Sequence, residues 1–420
     1  MGAPLPPPVD LDDLLEPFSR RGVDLGLDRL TAALAEGGNP QQRFAAVQVA
    51  GTNGKGSIAT LLQAILRAAG IASACYRSPH LVSWCERLQL GDVWISAEQL
   101  RDDLRRWQPI ARRHDLTPFE LLTAAAFDRC ASEGIRLAVL EVGLGGRLDA
   151  TTTHPERRVL GFGPIGLDHR EVLGDTLAAI AGEKAGVMSP GAMAISGPQE
   201  PEAAAVLQDR ARQVGCTLQW VQPLPPIAEG GPALGLAGDW QRTNGAVALA
   251  MARVLADQGW PISEEAMTRG LAAARWPGRL EPRRWQGLRL LLDGAHNPPA
   301  AAGLRRELDR LEPGRPRAWL LGIQRHKQAP EILDALLAPQ DRAWLTPIPE
   351  HRSWSRHELL AERPELAGRV EAVGDPAEGL ALLAKGAATS RPDGATPAQG
   401  TPVVAGSLHL LGCVIPLLDT

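Results

Sequence analysis

Residues 47–57 have the sequence VQVAGTNGKGS, in which an apolar run leads into three closely spaced glycines. The apolar residues from Ala45 to Ala50 predict a buried strand, and the pattern from Ile58 to Ala69 predicts a helix. Glycines let the backbone between these elements bend tightly and bring N–H groups close to anionic oxygens. The order of strand, glycine loop and helix is typical of a phosphate-binding loop.

The polar side chains of this loop suit a nucleotide. Lys55 is placed to reach a terminal phosphate, and the Ser57 hydroxyl is placed to meet Mg²⁺. The spacing departs from the common G-x-x-x-x-G-K-[ST] pattern, because Gly56 stands between the lysine and the serine. The alternative is an ordinary glycine-rich turn, which would not need a lysine.

Size and composition limit the class of protein. The chain has 420 residues, 44% of them hydrophobic and 22% charged, with a formal net charge of −4. This length predicts two domains with sizeable cores, and the charge argues against a general nucleic-acid surface. We expect neither a signal peptide nor a membrane span, because the sequence has no suitable apolar stretch. Five scattered cysteines without a C-x-x-C pair suit a reducing cytoplasm.

Three further polar residues follow apolar runs that predict strands. These residues are Ser78, Glu141 and His169. Ligands of open α/β sheets gather outside the carboxyl ends of the strands, and a strand-end carboxylate near a phosphate loop is a usual Mg²⁺ ligand. Each residue also has a simpler interpretation, namely a turn serine before Pro79, a capping carboxylate and a surface histidine.

The segment WPGRLEP at 276–282 interrupts the pattern with two prolines and a glycine. It predicts a boundary between a domain at 1–282 and a domain at 283–420. Strands and helices alternate beyond it, which predicts a small, mostly parallel, doubly wound domain in which Asp293 follows a strand. Arg279 is either a hinge residue directed at phosphate or a plain surface charge. By composition, Lys184 is expected on a solvated helix face.

Eight sequence blocks carry a family resemblance and span nearly the whole chain. In order they are VAGTNGKGS (49–57), SPHL (78–81), EVGLGGRLDAT (141–151), GLDH (166–169), LGDTLAAIAGEKAG (173–186), WPGRLE (276–281), DGAHNP (293–298) and AGSLHLLG (405–412). Together they resemble the folylpolyglutamate synthase/dihydrofolate synthase family, a branch of the Mur-type ligases. The resemblance implies an α/β protein, with an N-terminal P-loop ATPase domain built on a mostly parallel sheet. It also implies a smaller C-terminal Rossmann-like doubly wound domain.

The resemblance also implies roles for individual residues. ATP is expected at Thr52, Asn53, Gly54, Lys55, Gly56, Ser57, Asn244, Arg279 and Asp293. Mg²⁺ is expected at Ser78, Glu141 and His169, and the catalytic residues are expected to be Lys55, His169 and Lys184, the last as a carbamylated lysine. The pterin substrate is expected at Val23, Asp24, Leu25, Thr117, Pro118, Phe119, Glu120, Leu148, Asp149 and Ala150.

The implied activity is ATP-dependent amide ligation through an acyl phosphate. L-Glutamate would be joined to dihydropteroate, and also to tetrahydrofolate, by a cytoplasmic monomer without nucleic-acid or membrane partners. One departure from the family concerns an acidic D-K-D-like turn, because residues 324–328 are QRHKQ and keep only the lysine. The alternatives are a monofunctional member of the family, another Mur-type amino-acid ligase and a non-catalytic nucleotide-binding regulator.

Overall fold

The apolar run before the glycine loop forms a central strand in the computed structural model, which describes residues 4–21, 23–389 and 399–419. The strands of this sheet are β1 (Ala45–Ala50), β2 (Ser73–Tyr76), β3 (Leu88–Leu90), β4 (Val93–Trp94), β5 (Leu137–Glu141), β6 (Arg157–Phe162), β7 (Met193–Ser196) and β8 (Thr217–Trp220). Their order is β4-β3-β2-β5-β1-β6-β7-β8. The pairings are parallel except those of β3 with β2 and β4. Because β1 lies inside a parallel sheet, both of its faces are covered, which explains its nearly continuous apolar sequence.

In the same part of the chain, helices stand before, between and after these strands. They are α1 (Asp12–Leu15), α2 (Asp28–Glu36), α3 (Lys55–Ala68), α4 (Ala97–Arg113), α5 (Pro118–Ser132), α6 (Arg170–Leu173), α7 (Leu177–Ala185), α8 (Pro201–Val214), α9 (Trp240–Asp257) and α10 (Glu264–Ala273). Helix α5 starts with a capping box of Thr117 and Glu120, in which each side chain accepts from the other residue's backbone N–H. None of the described helices is long and apolar enough to cross a membrane.

The chain divides into two compact units. The first runs up to Leu236 and resumes over Trp240–Arg275, and the second comprises Ala237–Asp239 and the chain from Trp276 onward. The division into compact units lies between Arg275 and Trp276, and the domain boundary expected at 282/283 stays a prediction.

The second unit has its own sheet. Its strands are β9 (Glu281–Trp285), β10 (Leu288–Leu292), β11 (Ala318–Leu321), β12 (Arg342–Leu345), β13 (Val370–Ala372) and β14 (Val403–Ala405), in the order β13-β12-β11-β14-β10-β9. Its helices are α11 (Pro298–Leu311), α12 (Ala329–Leu336), α13 (Arg356–Glu362), α14 (Pro376–Thr389) and α15 (Leu408–Val414). The sequence did not predict β9, which pairs antiparallel with β10 at the sheet edge. An edge strand tolerates Pro282, because its missing N–H interrupts no central ladder.

Helix α3, which follows the glycine loop, packs closely against α10. A Cβ atom built on Gly270 of α10 would lie 2.4 Å from the Cα atom of Ile65 and 2.8 Å from the backbone carbon of Ala64. The backbones of the two helices therefore touch at a place where no side chain fits.

We expect Gly270→Ala to lower the free energy of unfolding by about 1–3 kcal/mol, because the added methyl group overpacks the contact with α3. Gly182→Ala is the matched control, since a Cβ atom on this glycine of α7 meets nothing within 4 Å. It should leave stability unchanged or raise it by up to about 1 kcal/mol. Denaturant unfolding measures both changes, and equal stability of the two variants would contradict the packing argument.

Candidate functional site

The glycine loop is a tight cradle at the amino end of α3. Gly54 caps the helix with a φ of 77°, and a Cβ atom there would lie 2.4 Å from Asn244 Oδ1. Gly51 has a φ of 143°, and its Cβ atom would lie 3.0 Å from the Cα atom of Gly163. The helix begins at Lys55, earlier than the sequence predicted, so its N-terminal N–H groups and partial positive charge face the loop.

A second loop braces the cradle. The backbone N–H groups of Thr52 and Asn53 donate to the carbonyl oxygen of Pro164 at 3.0 and 3.1 Å. The Thr52 hydroxyl donates to the Gly166 carbonyl oxygen at 2.9 Å and accepts from the Gly166 N–H at 3.0 Å. These contacts tie the glycine loop to the segment that leads to His169.

Lys55 lies back over the loop. Its Nζ atom donates to the carbonyl oxygens of Gly51 and Thr52, both at 3.1 Å. The ammonium group is therefore held at the mouth of the cradle, where a phosphate oxygen could replace these carbonyls.

The side chain of Gln241 connects Ser57 and Asn244. Gln241 Nε2 donates to Ser57 Oγ at 3.2 Å, and Gln241 Oε1 accepts from Asn244 Nδ2 at 2.9 Å. All three side chains are buried. The predicted nucleotide residues Ser57 and Asn244 thus belong to one hydrogen-bonded group.

The predicted metal ligands follow neighbouring parallel strands. Ser78 follows β2 and Glu141 ends β5, which lies next to β2, while His169 follows β6 on the other side of β1. Their strands end at the same edge of the sheet, beside the glycine loop. Glu141 is buried, whereas the His169 side chain is 37% exposed and has a backbone φ of 50°.

Within the described ranges, no three His, Cys, Asp or Glu side chains are grouped so that they could hold a metal ion. The predicted metal ligands Ser78, Glu141 and His169 include a serine and only two residues of these four types. The absence of such a group therefore does not test them, and they stay a prediction. His169 Nε2 lies 4.0 Å from Asp168 Oδ2, and His169 Nδ1 lies 3.7 Å from Glu171 Oε1.

The loop after Ser78 is held by a buried carboxylate. Glu86 accepts from the backbone N–H groups of Leu81, Val82 and Ser83 at 3.1, 2.6 and 2.7 Å. Burial raises the pKa of Glu86, and these hydrogen bonds oppose the shift. Hydrogen bonds to Glu86 therefore order residues 81–83, which follow Ser78 in the same loop.

The loop after Glu141 is organised by Asp149. One oxygen of this carboxylate accepts from the N–H groups of Gly143 and Leu144, both at 3.0 Å. The other accepts from the N–H and hydroxyl of Thr151 at 2.9 and 2.5 Å. Asp149 is buried, which raises its pKa, while these hydrogen bonds oppose the shift. Both oxygens are used inside the loop.

The expectation from composition that Lys184 lies on a solvated helix face is wrong, because its side chain is buried. Burial, and secondarily the charge of Lys55, lowers its pKa from 10.5 to about 7, and Asp168 and Asp149 oppose this shift. The position results from close packing of α7 on the loop after Glu141. A Cβ atom on Gly146 would lie 2.9 Å from the carbonyl oxygen of Glu183.

The stretches predicted to contact a pterin are partly brought together. Arg29 donates to Asp24 Oδ2 at 2.9 Å and to both oxygens of Glu120 at 3.3 and 3.4 Å. The ring of Phe119 lies against Gly143, where a Cβ atom would be 2.6 Å from Phe119 Cζ. The other residues of these stretches range from the exposed Val23 through the half-buried Leu25, Pro118 and Leu148 to the buried Thr117 and Ala150.

Arg279 and Asp293 belong to the second unit. Asp293 accepts from the backbone N–H of Leu280 at 2.8 Å and from that of Ala295 at 2.9 Å. Burial raises the pKa of this carboxyl group, and the Arg279 guanidinium opposes the shift. Asp293 thus holds the segment on which Arg279 lies.

Comparisons with known proteins bear on this arrangement. Residues 279–417 match the family model described as the C-terminal domain of dihydrofolate synthetase. The chain is 32% identical over 351 residues to folylpolyglutamate synthase of Lacticaseibacillus casei, a match that covers 76% of this chain and 81% of the relative. The chain belongs to the folylpolyglutamate synthase/dihydrofolate synthase family.

Two further similarities agree with this family. The chain is 31% identical over 347 residues to dihydrofolate synthetase of Saccharomyces cerevisiae, covering 77% of this chain and 81% of the relative. It also resembles a crystal structure of bifunctional folylpolyglutamate synthase/dihydrofolate synthase from Yersinia pestis complexed with AMPPNP and a Mn ion. That similarity has a TM-score of 0.82 at 28% identity and covers 98% of this chain and 99% of the other. The predicted α/β fold, family and ligase class are confirmed.

Three residues of this candidate site were not predicted from the sequence. Glu86 could have been found, because Ser83 and Glu86 have the spacing of a capping box. Gln241 stands three residues before Asn244, so both lie on one helix face, but nothing in the sequence marks it as buried. Arg29 has no sequence signal, since its partner Glu120 is 91 positions away.

The buried amine of Lys184 predicts a pH dependence of stability. Between pH 7 and 10.5 the unfolded chain binds the proton that the folded chain has released. The free energy of unfolding should therefore rise with pH across this window. In buffer free of carbon dioxide, we expect native protein to gain stability relative to Lys184→Met as pH increases. Denaturant unfolding at several pH values measures the difference, and a difference that stays constant would contradict the prediction.

Proposed function

We propose that this chain joins L-glutamate to dihydropteroate, and also to tetrahydrofolate, with ATP and Mg²⁺. The observation that carries this proposal is the glycine cradle with Lys55 at its mouth, beside the strand-end carboxylate of Glu141. Membership of the synthase family and the nucleotide and metal ion named for the Yersinia pestis structure support it.

The reaction needs activation because a free carboxylate has oxide as its leaving group. Transfer of the γ-phosphoryl group of ATP to the substrate carboxylate forms an acyl phosphate and releases ADP. The amine of L-glutamate then attacks the carbonyl carbon, phosphate leaves, and the amine gives up its proton. Lys55 and the N–H groups at the start of α3 stabilise the negative charge on the transferring phosphoryl group.

Glu141, Ser78 and Ser57 offer the oxygen ligands that Mg²⁺ prefers, and water can fill further coordination positions. We assign the ion to Ser78, Glu141 and His169, with the Ser57 hydroxyl as a further oxygen donor. When bound, Mg²⁺ would neutralise charge on the β- and γ-phosphates. Glu141 fits this role because it is a buried carboxylate at the same sheet edge as the cradle.

Lys184 suits carbamylation, as the family resemblance implies. A neutral amine attacks carbon dioxide, forms an N–C bond and loses a proton, and the product is a carbamate anion. A pKa of about 7 leaves a large share of Lys184 neutral at physiological pH. The carbamate would place an anion near Lys55, so the two side chains would attract each other.

We propose that the pterin is bound by the stretches around Asp24, Thr117–Glu120 and Leu148–Ala150. Their mutual contacts through Arg29 and Gly143 support this assignment. We also propose a cytoplasmic enzyme, because all five cysteines are free thiols, as a reducing compartment requires.

Lys55→Ala should lower kcat by roughly 10²–10³-fold, because it removes a charge that stabilises the transferring phosphoryl group. Lys385→Ala is the control, since Lys385 is an exposed lysine on α14, outside the assigned site. Both variants should keep the unfolding transition of native protein. Near-normal ligation by Lys55→Ala would remove this lysine from the mechanism.

Paired assays test the substrate assignment. ADP release should depend on glutamate with dihydropteroate as acceptor and, separately, with tetrahydrofolate as acceptor, and mass spectrometry should show each product one glutamate heavier. Extension of only one acceptor would identify a monofunctional enzyme. ATP turnover that extends neither of these acceptors would favour another Mur-type ligase. Nucleotide binding without any ATP turnover would favour a regulator.

A further inference from the structure

We propose that Gln241 is a positioning residue that orients the Ser57 hydroxyl and the Asn244 amide for binding of ATP with Mg²⁺. This inference rests on the function proposed above. Gln241 lies in the first turn of α9, and its exposed fraction is 0%. A side chain so deeply buried must satisfy its amide within the protein.

Both ends of the Gln241 amide have a partner in the nucleotide site. Nε2 donates to Ser57 Oγ on α3 at 3.2 Å. Oε1 accepts from Asn244 Nδ2, one turn further along α9, at 2.9 Å. One side chain therefore links the helix that follows the glycine loop to the asparagine assigned to ATP.

The contact with Gln241 restricts the Ser57 hydroxyl. A serine hydroxyl has one proton to donate and two lone pairs that accept. Donation from Gln241 Nε2 occupies one lone pair, which leaves the other for a cation and the proton for an oxygen acceptor. Any other rotamer of Ser57 would leave the buried Gln241 amide without this partner, which is unfavourable because a buried polar group needs a hydrogen bond.

The same contact defines the orientation of Asn244. Because its Nδ2 atom donates to Gln241, its Oδ1 atom is on the side of Gly54, where a Cβ atom would lie 2.4 Å away. A flipped Asn244 amide would place its oxygen against Gln241 Oε1, and two acceptors cannot form a hydrogen bond. Gln241 thus orients Asn244 against the glycine loop in addition to orienting Ser57.

The experiment compares AMPPNP affinity in excess Mg²⁺ with AMPPNP affinity in EDTA, measured by titration calorimetry. The ratio of the two affinities, here called the magnesium enhancement, reports on the Ser57 oxygen independently of turnover. We expect Gln241→Met to reduce the magnesium enhancement by roughly 10–100-fold, the range for residues that orient metal ligands. Gln241→Asn should show the same loss, because asparagine is too short to reach both partners. This variant replaces Gln241→Met in the experiment if Gln241→Met does not fold.

A double-mutant cycle separates positioning from general loss of structure. Because Gln241 acts through Ser57, the double variant Ser57→Ala/Gln241→Met should show the same magnesium enhancement as Ser57→Ala alone. Gln63→Met is the matched control, since Gln63 is a buried glutamine of α3 whose Nε2 atom faces the Ser73 and Gly91 carbonyl oxygens. It should leave the magnesium enhancement unchanged.

The possible outcomes distinguish this inference from the proposed function. Native protein without magnesium-enhanced AMPPNP binding would overturn the proposed function. Native binding with an unchanged enhancement in Gln241→Met would overturn only the role of Gln241. Multiplicative losses in the double variant, or an equal loss in Gln63→Met, would also overturn it, because either result indicates a merely structural role.

Discussion

Close approach of the glycine loop to its neighbours is the constraint on which the cradle at the start of α3 depends. A Cβ atom on Gly163 would lie 2.3 Å from the Asn53 carbonyl oxygen, and one on Gly54 would lie 2.4 Å from Asn244 Oδ1. Glycine at these positions lets the loop after β1 rest directly on its neighbours. These close contacts hold the loop in shape, so the backbone that carries Lys55 has a defined position.

Burial of charged groups beside this cradle has an energetic cost. Asp149 and Lys184 are both buried. Burial raises the pKa of Asp149 and lowers the pKa of Lys184, and both shifts favour the neutral form. Asp149 recovers stability by accepting four hydrogen bonds within its loop. For Lys184 the nearby carboxylates of Asp168 and Asp149 oppose the shift but do not cancel it. A lysine kept in such surroundings points to chemistry that needs a neutral amine.

Local patterns in the sequence predicted the parts of the structure that depend on local physics. The strand and the glycine loop at 45–57 follow from residues next to each other in the sequence. Burial of Lys184 could not be predicted, because it results from contact between Gly146 and α7, far apart in the chain. Likewise Gln241 looks like any polar residue at a helix start until α3 is packed against α9.

The turn at 324–328 is held in place by contacts within this chain. Arg325 lies 3.8 Å above the ring centre of Trp354 and donates to Glu358 at 3.3 Å. The indole N–H of Trp354 donates to the Lys327 carbonyl oxygen at 2.9 Å. These contacts order the turn without the flanking acids that the family resemblance leads us to expect. The missing acids make this turn less negative while the turn stays anchored, so we expect the departure to alter substrate preference and not folding.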